Sequence, residues 1–508
     1  MSDEQPDLPE IVVEVRREPA TSELTPDSPF RVALLGDFSG RGARGQIESG
    51  QALALRKPVR VDRDNLDKAL ARLGLQLDLA LWRDSDSTLS LRFAELEDFH
   101  PDRLYQRLAL FEPLREVRRR LQDPATAAQA IEELRGGGPH DVPEPEMPEP
   151  RAIPENLLEQ ILTESAGPAA AELIGDDLGA YLKRIVAPHR IPELDPQGLE
   201  LARQVDAASA ELMRRLLHHP EVQALEARWR AVHLLTRRIE TGSQLQFHII
   251  DLSRAELEAD LSPDLDLERT GLYKLLVESS VGTPGAPRWA LLVGDYTFGP
   301  GPQDAELMAR LAAIGSLAGA PWISAAHPRI AGCESFHATP DPAGWLKESA
   351  PAWVALRGLP LAAWLGLAAP RFLLRTPYGE ETEPCEFLPF EEMPGTPEHD
   401  HYLWGSPAFA CALLLAMSFA AAGWEFQPGM HSDITGLPLH LYEDDGDTVS
   451  KPCAEVLLTE RAAARLLDRG VMPLASLKGA DAVRLVRFQS VASPSAPLAG
   501  PWGSSAGQ

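Results

Sequence analysis

The sequence predicts an α/β fold in two parts, with mixed sheets and flanking helices. Short apolar runs alternate with stretches of helical period, an order typical of parallel strands joined by crossover helices. Residues 31–38 (RVALLGDF) and 288–296 (RWALLVGDY) repeat one pattern, an apolar run that ends in Gly-Asp-aromatic. Each run predicts a buried strand that a glycine turn stops at the edge of a sheet. Their similarity predicts two related α/β layers in one polypeptide.

A linker separates the two parts. Residues 136–150 (GGGPHDVPEPEMPEP) combine glycine, alternating proline and acids, a composition that cannot form a packed core. We therefore expect five segments, which are a flexible N-terminal arm over 1–27, a folded part over 28–135, a Pro/Gly/Glu linker over 136–152, a larger folded part over 153–492 and a disordered tail over 493–508.

The elements before the linker follow from local patterns. In the arm, the β-branched residues of 10–15 (EIVVEV) predict a lone strand that must pair with another element. Residues 89–93 also read as a strand. After residues 59–62, Asp62 or Asp64 is placed to cap a helix that follows. Residues 102–121 have helical period, and Pro113 should kink or split that helix.

After the linker, residues 198–240 predict a pair of helices divided at Pro220. Strands are expected over 244–250 and 321–326. The longest apolar stretch, 405–423, contains a proline and many alanines and falls short of the roughly 20 strongly apolar residues of a membrane span. We therefore expect a buried helix there and no direct membrane insertion.

Composition narrows the choice of partners and compartment. The chain has 508 residues and a formal net charge of −27, which argues against nucleic acid or an anionic membrane as the main partner. The first residues (MSDEQP) lack the basic and apolar regions of a secretory signal. Four cysteines are scattered without CxxC spacing, so neither a zinc knuckle nor a disulfide framework is indicated and a reducing cytoplasm fits best.

Motifs for nucleotide chemistry are weak. Neither GxxxxGK[ST] nor HExxH occurs, and a GxSxG match at 503–507 lacks the strand and helix of a nucleophile elbow. Residues 40–45 fit GxGxxG, and Asp62 or Asp64 lies near the distance expected for a ribose-binding acid. The third glycine should open a helix, yet Gly50 and Pro58 follow it, so a surface loop is favoured over a dinucleotide site.

Metal and catalytic residues are not indicated either. His399 and His401 would converge on one face if this segment were a strand, but hydrogen-bonded structural histidines are the favoured interpretation. His218 and His219, just before a proline, suit a helix end. The aspartates of the two Gly-Asp turns are expected to form turns rather than to catalyse. The sequence thus predicts no catalytic, cofactor-binding or metal-binding residue and no cofactor.

Several motifs, in order along the chain, resemble the two sheath subunits of the bacterial type VI secretion system. Residues 29–41, 61–65 and 96–104 resemble the small subunit (TssB or VipA), over roughly 28–135. The remainder, over roughly 153–492, is similar to the large subunit (TssC or VipB), on motifs at 217–230, 291–298, 370–379 and 399–405. The resemblance implies a two-part sheath-type α/β body with both subunits fused in one chain.

In that family the subunits are normally separate, and a linker would enforce 1:1 pairing by raising their effective concentration. The resemblance also implies that the large subunit's C-terminal region is absent here, replaced by a short tail. It implies a non-enzymatic, cytoplasmic sheath subunit whose partners are other sheath subunits, the inner tube protein, the baseplate and an AAA+ unfoldase. The arm strand over 11–15 is the candidate for donation to a neighbour's sheet, and residues 154–165 are the nearest match in position to the helix that the unfoldase grips.

Two alternatives stay open. A truncated sheath-like adaptor or cap would keep the two-part fold and limit sheath growth. An enzyme would use either a metal at His399 and His401 or a dinucleotide at residues 40–45.

Overall fold

The computed structural model describes residue 11 and residues 27–81, 88–123, 126–135 and 196–503. Within these residues the strands are β1 Phe30–Gly36, β2 Val59–Val61, β3 Leu75–Leu79, β4 Leu89–Phe93, β5 Leu245–Asp251, β6 Leu291–Phe298, β7 Trp322–Ala326, β8 Leu365–Ala369, β9 Phe372–Leu373, β10 Trp404–Gly405, β11 Asp433–Ile434, β12 Leu441–Asp444, β13 Asp447–Ser450, β14 Val471–Ser476 and β15 Val483–Leu485. The helices are α1 Gln51–Ala54, α2 Leu66–Leu73, α3 Pro101–Arg107, α4 Glu112–Gln122, α5 Ala127–Arg135, α6 Pro196–Leu217, α7 Pro220–Arg238, α8 Arg254–Asp260, α9 Gly271–Tyr273, α10 Pro302–Ala318, α11 Pro351–Arg357, α12 Pro407–Ala422 and α13 Glu460–Asp468.

One nine-stranded sheet organises both parts of the chain, in the order β11-β15-β14-β8-β7-β6-β1-β5-β2. Strand β1 lies between β5 and β6 and is parallel to both, with Val32 level with Phe247 on one side and Leu291 on the other. The two Gly-Asp strands are therefore immediate neighbours. The two related α/β layers that the sequence predicted are one sheet instead, because the N-terminal part supplies a central strand to the sheet of the C-terminal part.

Side chains of β1 enter a different core on each face of the sheet. Val32 and Leu34 belong to one buried cluster, and Ala33 and Leu35 belong to the other. This division follows from the alternation of side chains along a strand. All four are fully buried, so β1 has the continuous apolar character of a strand covered on both faces. The predicted α/β class with mixed sheets and flanking helices is confirmed.

Prolines divide the helices where the sequence predicted. The helical stretch before the linker is split into α3 and α4, with Pro113 in the first turn of α4. The second helical pair is split at Pro220, which opens α7. Proline suits these positions because the first helical turn has no backbone hydrogen bond for it to remove.

Helix α12 is the apolar helix of the core. Among the described residues, Pro407–Glu425 is long and apolar enough by composition to cross a membrane. Of its most apolar 18 residues, 67% are buried inside the fold. Phe409, Leu413 and Leu415 are at most 1% exposed. The prediction of a buried core helix is confirmed.

The segment after β15 packs on the body, in contrast to the expected disorder over 493–508. Leu498 and Trp502 are buried, and the ring of Trp502 lies 5.6 Å from that of Phe426. The backbone N–H of Ala499 donates to the carbonyl of Ala363 over 2.8 Å. The many prolines and small residues of this segment suggested a tail, but Leu498 and Trp502 among them anchor it to the body. Residues 504–508 lie outside the described residues.

Other expectations fall outside the described residues. They are the linker over 136–152, the candidate unfoldase helix over 154–165 and most of the N-terminal arm. Of the predicted arm strand only Ile11 is described, and it is half-buried against the second core cluster.

Candidate functional site

The two Gly-Asp sequences lie side by side at β1 and β6, where the order of the strands changes side. The strands lie in the order β5-β1-β6-β7-β8. The next parallel strand along the chain, β5, is added on one side of β1, and β6, β7 and β8 are then added in turn on the other side, as in flavodoxin-like sheets. Open α/β sheets bind their ligands outside the carboxyl ends of the strands at such a switch point. Asp37 directly follows β1, and Asp295 lies in the second half of β6, so both border this crevice.

A side chain from α7 lies in the crevice. The guanidinium of Arg228 pairs with the Asp295 carboxylate, with Nε 2.5 Å from Oδ2, and also donates to the backbone carbonyl of Asp37. Only 13% of the Arg228 side chain is exposed. Burial opposes the charge of Arg228, but the carboxylate of Asp295 outweighs it and the pKa of the guanidinium is raised. The expected turn-forming role of Asp295 is thus wrong, because it is an ion-pair partner.

The next residue of α7 extends the same contact. The indole N–H of Trp229 donates to the carbonyl of Phe38 over 2.9 Å, and the two rings meet edge to face at 5.5 Å. Trp229 is fully buried. One turn of α7 therefore joins the ends of β1 and β6.

The glycine loop after β1 is organised by the chain's own carboxylate. Asp37 accepts the backbone N–H groups of Arg41 over 2.6 Å and Gly42 over 2.7 Å. This confirms the turn-forming role predicted for Asp37. No helix opens at Gly45, since α1 begins only at Gln51 and has four residues. The N–H groups that a pyrophosphate would need are thus directed to Asp37, as expected for a structural loop.

Arginines of the N-terminal part surround a buried acid of the C-terminal part. Glu256 is fully buried and accepts from Arg41 over 3.1 Å and from Arg56. Burial opposes ionisation of Glu256, but Arg56 prevails and lowers its pKa. Arg56 also donates to the carbonyl of Asp251 over 2.7 Å, and Asp251 in turn accepts from Ser39. These side-chain bonds join the two parts in addition to the backbone pairing of the shared sheet.

A second buried ion network lies within the C-terminal part. Arg375 pairs with Glu226 over 2.8 Å and with Glu392 over 2.6 Å, and all three are at most 6% exposed. Burial raises the cost of charging Glu392, yet the Arg375 guanidinium lowers its pKa to about 2. The ring of Tyr378 lies 4.2 Å from the guanidinium carbon of Arg375. The network fixes α7 to the loop-rich segment that follows β9.

The histidines form two stacked pairs instead of one metal site. Residues 399–401 form a short 3-10 turn, so the two imidazoles do not share a face as they would on a strand. His399 stacks on His337 at 4.0 Å, and His401 stacks on His218 at 3.9 Å. His219 caps α7, accepting the N–H of Glu221 over 3.3 Å. Both histidine motifs therefore make the structural contacts that the sequence favoured.

The remaining candidates are also structural where they are described. Asp62 accepts the N–H groups of Asp64 and Asn65 and so forms the turn before α2. The prediction that Asp62 or Asp64 caps this helix is wrong, because Asn65 occupies the N-cap position and no side chain caps α2. The four cysteines are free, with Cys385 half-buried and the others buried. Burial and nearby carboxylates raise the pKa of Cys385 to about 12. Most of the GxSxG match lies outside the described residues.

Comparison with known families decides what this joined body is. The family model for VipB, the tail sheath N-terminal domain, matches residues 200–492, more than half of the chain. The chain belongs to the VipB tail sheath family. The model for VipA of type VI secretion systems matches residues 9–137. Both sheath subunit types are therefore fused in one polypeptide, as the motifs predicted.

One curated relative is the type VI secretion system sheath protein TssC1 of Pseudomonas aeruginosa. It is 32% identical over 300 residues, which are 57% of this chain and 60% of that protein. The VipA-like part contributes β1 and β2 to the shared sheet, and the VipB-like part contributes its other seven strands. Sequence reasoning missed the partners across this junction. The only available signal was the likeness of the two Gly-Asp runs, which are adjacent in space.

Proposed function

We propose that this chain is a structural subunit of a type VI secretion contractile sheath, which assembles with sheath subunits around an inner tube and drives its ejection on contraction. One observation carries the proposal. The VipA-like and VipB-like parts form one body, because β1 of the first lies between β5 and β6 of the second. A sheath needs a rigid repeating unit of this kind, and a heterologous contact between such units builds a helical tube.

We also propose that the body acts without turnover. The switch-point crevice, where doubly wound sheets place their ligands, holds the Arg228 side chain in a pair with Asp295. Two backbone N–H groups of the glycine loop beside it donate to the carboxylate of Asp37. Contraction can be a switch between two packings of rigid subunits, which requires no active site on the subunit. The cytoplasm is the compartment that fits a sheath assembled around a tube.

Further partners follow from the same proposal. They are the inner tube protein, the baseplate and an AAA+ unfoldase that recycles contracted sheath. The sheath lattice would place copies of this chain, or of homologous sheath subunits, against one another.

Electron microscopy of the purified chain, alone and with the inner tube protein of its own system, tests the proposal. Helical tubes of uniform diameter are the expected result. Dispersed particles under both conditions would overturn it. Co-expression with a complete sheath pair identifies the alternative, since an adaptor or cap would shorten the tubes of that pair without forming its own.

A further inference from the structure

A cluster of mixed ligand atoms lies where the VipA-like part meets the loop after β9. His100 and Asp102, at the start of α3, face Cys385 of the VipB-like part, and one ligand atom from each lies within 4.8 Å of the others. A carboxylate oxygen of Glu383 is 3.9 Å from Nε2 of His100. The cluster therefore offers a nitrogen, a sulfur and carboxylate oxygens from both parts of the chain.

The distances suit a small divalent ion. Tetrahedral Zn²⁺ has bonds of about 2.0–2.3 Å, which place neighbouring ligand atoms roughly 3.3–3.8 Å apart. Nδ1 of His100 accepts the backbone N–H of Asp102, so Nε2 is the nitrogen left for an ion, and it lies 3.9 Å from a carboxylate oxygen of Glu383. Sγ of Cys385 lies within 4.8 Å of the ligand atoms that His100 and Asp102 offer.

The ligands are held in place by their surroundings. Both oxygens of Asp102 accept backbone N–H groups, from Glu386 over 2.8 Å and from Phe387 over 2.9 Å. These bonds fix the carboxylate beside Cys385. The imidazole of His100 packs edge to face against Tyr378 at 4.9 Å. Such outer contacts orient metal ligands in proteins.

The charge around the cluster is unbalanced. Among the described residues, no lysine or arginine lies within ion-pair distance of Asp102 or Glu383, and His100 is their nearest titratable partner. The side chains of His100 and Asp102 are each 15% exposed, which leaves an entry path. A cation at this point would neutralise two carboxylates that have no lysine or arginine partner among the described residues.

We propose that His100, Asp102 and Cys385, with Glu383 at the rim, bind a Zn²⁺-like divalent metal that staples the VipA-like part to the VipB-like part. One imidazole, one thiolate and carboxylate oxygens form a borderline-soft set that favours Zn²⁺ over Mg²⁺ or Ca²⁺. On binding, the thiol loses its proton to solvent and its sulfur coordinates the ion. The sequence predicted no metal site because these residues are distant along the chain.

Metal titration of the full chain tests the staple. With ZnCl₂ as the probe, we expect one ion per chain and a melting temperature that rises with its concentration. With CoCl₂, a thiolate-to-metal charge-transfer band should appear in the near ultraviolet. Cys385→Ser should abolish the band and weaken Zn²⁺ binding by about tenfold or more. His100→Asn, which keeps an acceptor for the capped N–H of Asp102, should weaken Zn²⁺ binding equally.

Cys333→Ser is the matched control, because Cys333 is buried elsewhere and its Sγ lies near the carbonyl of Pro328. It should retain both the band and the affinity. Unchanged Zn²⁺ affinity in Cys385→Ser would overturn the proposal. If the variants fail to fold, alkylation of Cys385 in the natural chain replaces them; Zn²⁺ should slow it about tenfold or more, and an unchanged rate refutes the site. None of these readouts depends on tube formation.

Discussion

The pair between Arg228 and Asp295 provides a direct test of how the two parts are joined. Arg228→Met keeps the length of the side chain but leaves the Asp295 carboxylate, only 15% exposed, without its cation. It also removes a donor from the carbonyl of Asp37. Breaking a buried pair by removing one partner costs about 3–5 kcal/mol. Since both side chains keep some contact with solvent, we expect about 3 kcal/mol.

Equilibrium unfolding in urea, followed by tryptophan fluorescence, measures this cost. Arg228→Met combined with Asp295→Asn should recover part of the loss, with a coupling of at least about 1 kcal/mol in a double-mutant cycle. Arg484→Met is the matched control, since it breaks an exposed pair with Asp433 and should cost far less than Arg228→Met. Equal costs for Arg228→Met and Arg484→Met would refute the reasoning.

Three further outcomes are expected. Cleavage at a protease site introduced within 136–150 should leave two fragments that co-elute in size-exclusion chromatography, because β1 is held between two strands of the other part. Gly294→Ala should lower the melting temperature, since a Cβ would lie 2.5 Å from Cζ2 of Trp322, whereas Gly242→Ala, with nothing within 4 Å, should not. The pKa of Glu392 is lowered from 4.5 to about 2, so its contribution to stability is present above pH 4.5 and lost as the pH falls toward 2; Glu392→Gln should flatten acid unfolding in this window.

Each of these has a result that would contradict it. Separation of the cleaved fragments without denaturant would mean that the shared sheet does not hold the parts together. Equal melting temperatures for the two glycine variants would mean that β6 has room at Gly294. An unchanged slope of stability against pH below 4.5 in Glu392→Gln would remove that carboxylate from the acid response.

Local patterns determined much of the fold. Strand Leu89–Phe93 has the predicted bounds, since alternating apolar residues leave one face solvated. Proline positions separated α3 from α4 and α6 from α7. The sequence did not predict strands β8 and β14, because short runs that are buried on both faces do not alternate apolar and polar residues. Their place in the sheet depends on neighbours far along the chain.

The site was less predictable than the fold. Gly36-Asp37 and Gly294-Asp295 look equivalent in sequence, yet one aspartate folds a turn and the other binds Arg228. The difference arises from α7, which lies closest to only one of the carboxylates. His100 and Cys385 likewise became neighbours through tertiary contacts that no local pattern encodes.

The position of β1 has a consequence for synthesis on the ribosome. Its apolar strand is translated before β6, and it can pair with β6 only after residue 298 has been made. At about 5–20 residues per second, that wait is on the order of 10–50 s. A separately translated small subunit would wait for a chance encounter with its companion, whereas here the companion is always the next segment to emerge.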